Sequence, residues 1–136
     1  VDLVTMKSIV WKEEDLGATF VVGDIPADLV SEAEAARTAL IEAVVEHDDS
    51  ALERYLDGEI PDDDTLRRCI RLGTVKSAFT PIFCGSAFKN KGIQPLLDGV
   101  ISYLPAPADL PATRGHHPDT GAEAERAGSR DAPIAG

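Results

Sequence analysis

Phe79-Thr80-Pro81-Ile82-Phe83-Cys84-Gly85-Ser86-Ala87-Phe88-Lys89-Asn90-Lys91-Gly92-Ile93-Gln94-Pro95-Leu96-Leu97-Asp98, running on to Tyr103-Leu104-Pro105, carries the most informative change of pattern in this chain. Phe79 to Cys84 is a short apolar run that reads as a buried strand, with Pro81 poorly suited to a central ladder position. Gly85 to Gly92 is a polar, turn-like loop. From Ile93 the apolar residues take helical spacing. Ile93, Leu96, Leu97, Val100, Ile101 and Leu104 share one face until Pro105 ends it. Strand, loop and helix in that order form the unit of an α/β domain.

Upstream, Val1 to Trp11 is rich in β-branched residues and reads as a strand, bent or interrupted. Lys12 to Gly17 is a polar turn, and Thr19-Phe20-Val21-Val22 returns as a second strand. Pro26 is a favoured first-turn residue and predicts a helix running to about His47. Leu29, Ala33, Ala36, Leu40 and Val44 form its apolar stripe. A short helix follows over 50–56, with Asp49 as its cap and Gly58 as its stop. A third helix begins near Pro61, with Asp62, Asp63 and Asp64 in its first turn, where negative charge suits the helix dipole. Gly73 is expected to end it.

Downstream of Pro105 the periodicity disappears. Pro107, Pro111, Pro118 and Pro133 interrupt any regular element, so 105–136 reads as an irregular linker. His116 to Gly121 suggests a small turn. The chain starts at Val1 rather than Met and ends without an anchoring apolar run, so both ends are expected to be cut from something longer. No internal repeat is evident.

The 136 residues suffice for one modest core and not for a large enzyme cleft. Net charge is −11. Residues 1–77 hold 18 acidic and 8 basic side chains, and residues 78–104 hold 1 and 2. So acidic a field repels nucleic acid and anionic lipid and attracts basic protein surfaces. No apolar run approaches the ~20 residues of a membrane span, and no signal peptide is present. Cys69 and Cys84 form no C-x-x-C motif and read as reduced, buried thiols of a cytoplasmic protein.

The chemical motifs are mostly negative. There is no G-x-x-x-x-G-K-[ST] phosphate cradle, and no Asp is followed three residues later by Gly. Asn90-Lys91 starts like a guanine-reading N-K-x-D but lacks the aspartate. His116-His117 has no further ligand at a standard spacing, and the triple aspartate is explained as a helix first turn, so no metal site is expected. Two features remain. Small residues at Ser86 and Ala87, between a strand and a helix, let a ring approach backbone N–H donors. Glu42, Glu46 and Asp49, spaced four and three apart, lie roughly opposite Leu40 and Val44 and form an exposed negative stripe. Alone, each is equally a plain β–α loop or a solvated helix face.

Those residues resemble a family. Gly85 to Asp98 followed by Tyr103-Leu104-Pro105 closely resembles the end of the GTPase domain of translation elongation factor G. Val1-Asp2-Leu3-Val4 with Met6-Lys7 and Trp11, Asp24-Ile25-Pro26-Ala27-Asp28-Leu29, and Tyr55-Leu56-Asp57-Gly58 resemble the subdomain inserted in that domain. The likeness runs in order over essentially residues 1–131. Tetracycline-resistance protection proteins and the third release factor share the architecture, with less likeness across Gly85–Asp98.

The resemblance implies a mixed α/β fold in three parts: an inserted α+β subdomain, often called G prime, over 1–77; the last strand and helix of a P-loop GTPase fold over 78–104; and a linker over 105–136 into a missing second domain. It implies that backbone N–H groups at Ser86 and Ala87 approach guanine O6, with Phe88 flanking the base. It implies that Glu42, Glu46 and Asp49 dock the C-terminal domain of ribosomal stalk protein L7/L12. The parent activity would be GTP hydrolysis with Mg²⁺, coupled to tRNA and mRNA movement on the ribosome. This chain holds no catalytic residue and is expected to be inactive alone, without tight GTP or GDP binding, membrane contact or direct nucleic-acid contact. Its strand, deprived of sheet neighbours, predicts poor folding in isolation. The alternatives are a non-catalytic acidic adaptor for a basic protein, or a related ribosomal GTPase.

Overall fold

Asp2 closes the first turn of the chain. Its backbone exchanges hydrogen bonds with Lys7 at 2.8 and 3.3 Å, and its carboxylate accepts from the Val4 N–H and the Thr5 hydroxyl. Met6 takes a φ of 51° to complete the turn. The expected first strand is therefore interrupted, and regular pairing starts at β1 (Ser8–Trp11). β1 runs antiparallel to β2 (Phe20–Gly23), with Ser8 opposite Gly23 and Trp11 opposite Phe20. The structure is a computed structural model that describes residues 1–12, 17, 19–117 and 119–128. Most of the polar turn expected between these strands, Glu13 to Leu16, lies outside the described residues.

Helix α1 (Val30–Val45) begins one turn later than Pro26. Pro26 instead opens a turn whose carbonyl accepts the Leu29 N–H at 2.9 Å. The buried face of α1 is Ala33, Ile41, Val44 and Val45. Leu29 is exposed, and Ile41 and Val45 were not in the expected stripe. Helix α2 (Asp49–Leu56) is capped by Asp48, whose side chain accepts from the Ala51 N–H. Asp49 is its first residue rather than its cap. Helix α3 (Asp63–Val75) is capped by Asp62, with Asp63 and Asp64 in its first turn. These helices enclose a core of Val4, Ile41, Val44, Val45, Ala51, Leu66, Cys69, Ile70 and Tyr103. Arg37 ties the N-terminal turn to it. Its guanidinium donates to the carbonyls of Leu3 and Val4 and lies 3.5 Å from the Asp63 carboxylate.

Gly73 does not stop α3, which continues to Val75. Ser77 ends it in the left-handed region, at φ 57°. The Ser77 N–H then donates to Thr74 O, and the Ala78 N–H to Gly73 O, both at 2.9 Å. This is the Schellman arrangement, built here on serine. It turns the chain back so that Phe79 lies over Gly73. A Cβ on Gly73 would fall 2.3 Å from the Phe79 ring and 2.8 Å from His47. Phe83 treats Gly99 of helix α4 (Ile93–Tyr103) in the same way, at 2.4 Å, and stacks on Tyr103. Two glycines inside helices thus accept two rings from one extended segment.

That segment is not a strand here. Among the described residues, Phe79 to Gly85 makes no ladder pairing. A β conformation gains ladder bonds only with a neighbour, and no described strand pairs with it. Cys84, expected in a buried strand, is exposed, whereas Cys69 is fully buried as expected. The predicted apolar face of α4 is also largely uncovered. Leu97, Val100, Ile101 and Leu104 are exposed, and only Gly99 and Tyr103 of the helix are buried.

The chain forms two compact units, Val1–Tyr103 and Leu104–Gly136. In the second, the stretch expected to be irregular contains an antiparallel hairpin. β3 (Thr113–His116) pairs with β4 (Glu123–Arg126), Thr113 opposite Arg126 and His116 opposite Glu123. The turn expected over 116–121 joins them, with the Gly121 N–H on His117 O at 2.9 Å. The hairpin has almost no apolar side chain, which hid it from a reading based on hydrophobic alternation. Pro118 and the terminal 129–136 lie outside the described residues. Among the described residues the chain is mixed α/β, with four α-helices and two small antiparallel sheets.

Candidate functional site

The loop between the extended segment and α4 is closed at its neck. The Ser86 N–H donates to Lys91 O at 2.8 Å, and the Lys91 N–H returns to Ser86 O at 3.1 Å. Beneath this bridge Gly85 and Gly92 cross in contact. A Cβ on Gly92, whose φ is +86°, would fall 2.7 Å from Cys84 O and 2.8 Å from Gly85 Cα. Inside the neck, Ala87–Lys89 form one 3₁₀ turn. It is held by Lys89 N–H on Ser86 O and Asn90 N–H on Ala87 O, both at 3.1 Å. Asn90 leaves the turn in the left-handed conformation, which asparagine tolerates well.

The donor inventory of this loop differs from the one expected. The Ser86 N–H is occupied by Lys91 O. Among the described residues, the Ala87 and Phe88 N–H groups have no acceptor. The loop therefore offers two adjacent backbone donors at Ala87 and Phe88 that are unmatched among the described residues, while Ser86 closes the neck. The Phe88 ring is 98% exposed, a bare aromatic face beside those donors. Sequence spacing showed Ser86, Ala87 and Phe88 together. It did not show the paired glycines of the neck, although Gly85 and Gly92 on either side of the loop were a readable sign.

The second site is the negative stripe. Glu42, Glu46 and Asp49 are all exposed. Glu42 is in α1, Glu46 is its C-cap, and Asp49 opens α2. Among the described residues none of the three joins an ion pair or a side-chain hydrogen bond. Their neighbour Asp48 behaves oppositely. Hydrogen bonds from the Ser50 hydroxyl and the Ala51 N–H, reinforced by Arg68, hold its carboxyl down to about 2. Arg68 approaches it at 2.8 Å. The acidic cluster therefore divides into one internally satisfied carboxylate and three that face solvent.

Other candidates resolve more simply. The Cys69 thiol is pushed up by burial, as expected of an inert core cysteine. His117 accepts the Asp119 N–H at 3.3 Å within its hairpin turn. Asp62 is held below the usual carboxylate range by the Thr65 N–H, as a capping residue is. Among the described residues no cluster of three metal-ligating side chains occurs, and no helix is long and apolar enough to cross a membrane.

No protein-family model matches the chain. Its fold is similar to that of a solved protein structure from Thermus thermophilus, at 22% identity and a TM-score of 0.69. The alignment covers 92% of this chain and 20% of that one, so the chain spans about a fifth of the length of the protein it matches. At that identity the likeness shows a shared fold.

Proposed function

We propose that this chain is part of a ribosome-associated GTPase of the elongation factor G type, in which it forms one edge of the guanine site and a docking face for the ribosomal stalk. The observation that carries this reading is the 86–91 loop. It is locked at its neck, and it presents two free backbone donors beside an exposed aromatic ring. That suits recognition of a planar ring bearing a carbonyl acceptor, as guanine does through O6. The long, ordered sequence likeness over Gly85–Asp98 supports this family over the alternatives.

Two further observations favour a piece of something larger. Phe79 to Gly85 has no ladder partner among the described residues, and the apolar face of α4 is largely exposed. A sheet neighbour would satisfy both. The fold of a protein about five times longer accommodates this chain as one segment. In this reading GTP, GDP and Mg²⁺ would be bound by the longer protein of which this chain is a part, since the phosphate-binding motifs are absent from this sequence. An independent acidic adaptor explains the stripe but not the constructed loop.

The test uses the longer protein that carries this chain. Ribosome-stimulated GTP hydrolysis is measured with Glu42→Lys, Glu46→Lys and Asp49→Lys combined. The expected result is roughly a tenfold loss of stimulation with nucleotide affinity unchanged, since exposed charges act mainly on encounter with a basic partner. A protein with no ribosome-stimulated hydrolysis even before substitution would overturn the assignment.

A further inference from the structure

Gly17 lies between β1 and β2, yet it is buried and packed on the 86–91 loop. Its φ is +79°. A Cβ there would fall 2.7 Å from both Lys89 O and Asn90 O and 2.9 Å from Asn90 C. All three are backbone atoms, so no flexible side chain can swing aside. From α4, Gln94 Nε2 also reaches towards Gly17 O, at 3.5 Å. Gly17, the 3₁₀ turn and the start of α4 therefore meet at one point.

We infer that Gly17 is a positioning residue for base recognition: packed against the Lys89 and Asn90 backbone, it buttresses the Ala87–Lys89 turn and sets where the Ala87 and Phe88 amides point. This rests on the reading that the loop faces a guanine base. Lys89 and Asn90 close the same single turn whose first N–H groups are those of Ala87 and Phe88. One 3₁₀ turn held by two hydrogen bonds moves nearly as a unit. Relieving a 2.7 Å contact with backbone oxygen requires a shift of about half an ångström, enough to spoil a hydrogen bond of ordinary length and angle. The buttress comes from the inserted part of the chain, so that part would have a role inside the nucleotide site as well as outside it.

Gly17→Ala also forces a side chain into a left-handed conformation, which alone weakens folding. The structure supplies a matched control. Gly58 has a φ of +90°, and a Cβ there would meet nothing within 4 Å. Gly58→Ala carries the backbone strain without the contact. Amide NMR spectra of the chain with each substitution form the first arm. Gly17→Ala is expected to move the resonances of Ala87, Phe88, Lys89 and Asn90, and Gly58→Ala to leave them in place. The second arm is steady-state kinetics of the longer protein. Gly17→Ala is expected to raise KM for GTP about tenfold with kcat unchanged, and to narrow the preference for GTP over ATP, because only the O6 contact is displaced. Identical loop spectra for the two variants would overturn the buttress. Shifted loop amides with unchanged KM would instead leave the buttress standing and overturn the guanine reading on which its role depends.

Discussion

Asp48 is a small case of one side chain serving several partners. It caps α2, accepts the Ser50 hydroxyl at 2.8 Å and pairs with Arg68. Its carboxyl ionises in the folded chain near 2, against an ordinary value of 3.8. Because the folded value is the lower one, its contribution is complete above about pH 3.8 and disappears as pH falls through about 2. Asp48→Ala is expected to lose about 1–2 kcal/mol at neutral pH, the usual cost of a lost cap. It should also flatten the acid limb of stability in that window, as read by thermal melts across pH. Gly73 decides a competition of opposite signs. Alanine in a helix interior gains about 1 kcal/mol over glycine, but the new methyl would meet Phe79 at 2.3 Å, and overpacking typically costs about 1–3 kcal/mol. Gly73→Ala is therefore expected to destabilise, with a lower urea midpoint. Sequence alone read Gly73 as a stop because a glycine near a helix end usually is one. The ring that occupies its vacant side, that of Phe79, arrives from beyond the helix end, and no local pattern reveals that.

Among the elements, the end of α3 shows which signals were legible. Aspartates before an apolar-periodic run marked the start of α2 within a residue and that of α3 within two, Asp62 proving to be the cap of α3 rather than part of its first turn. The end was missed because serine fills the left-handed position usually held by glycine. Ser77→Gly would keep both Schellman hydrogen bonds and remove the steric penalty of a Cβ at φ 57°. It is expected to raise stability by about 1 kcal/mol, seen as a higher urea midpoint at unchanged slope. The strand read at Phe79–Cys84 has a different origin. Its apolar composition is that of a buried strand, and Phe79 and Phe83 are indeed anchored by α3 and α4. Composition reports a preference for burial between sheet neighbours, whereas ladder bonds require those neighbours. The hairpin of β3 and β4 is the reverse case, with pairing present and the apolar signal absent. Its Arg114–Glu125 pair, at 3.3 Å, is a cross-strand contact that exposed charges can make without any core.

At the scale of the molecule, the account rests on an uneven distribution of charge and apolar surface. The net charge of −11 is concentrated in the first 77 residues, and Glu42, Glu46 and Asp49 face outward without side-chain partners among the described residues. The apolar face of α4 remains largely uncovered, and Phe79 to Gly85 has no ladder partner among the described residues. The stripe was legible only in part: helical spacing placed Glu42 and Glu46, which lie on α1 and at its cap, whereas Asp49, read as a residue of the same helix, opens α2 after the extended Asp48 breaks the helical run. The loop was legible as a set of residues but not as a geometry, since Gly17 acts on it from far away in the chain. The isolated chain lacks a phosphate cradle, so calorimetry with GDP is expected to give no dissociation constant in the micromolar range. The most direct test of the central claim is an NMR titration of the folded chain with the C-terminal domain of the stalk protein, at low and at physiological salt. The account predicts shifts centred on Glu42, Glu46 and Asp49 that weaken as salt shortens the screening length towards about 8 Å. A folded chain whose spectrum does not change, or whose shifts centre elsewhere and ignore salt, would contradict it.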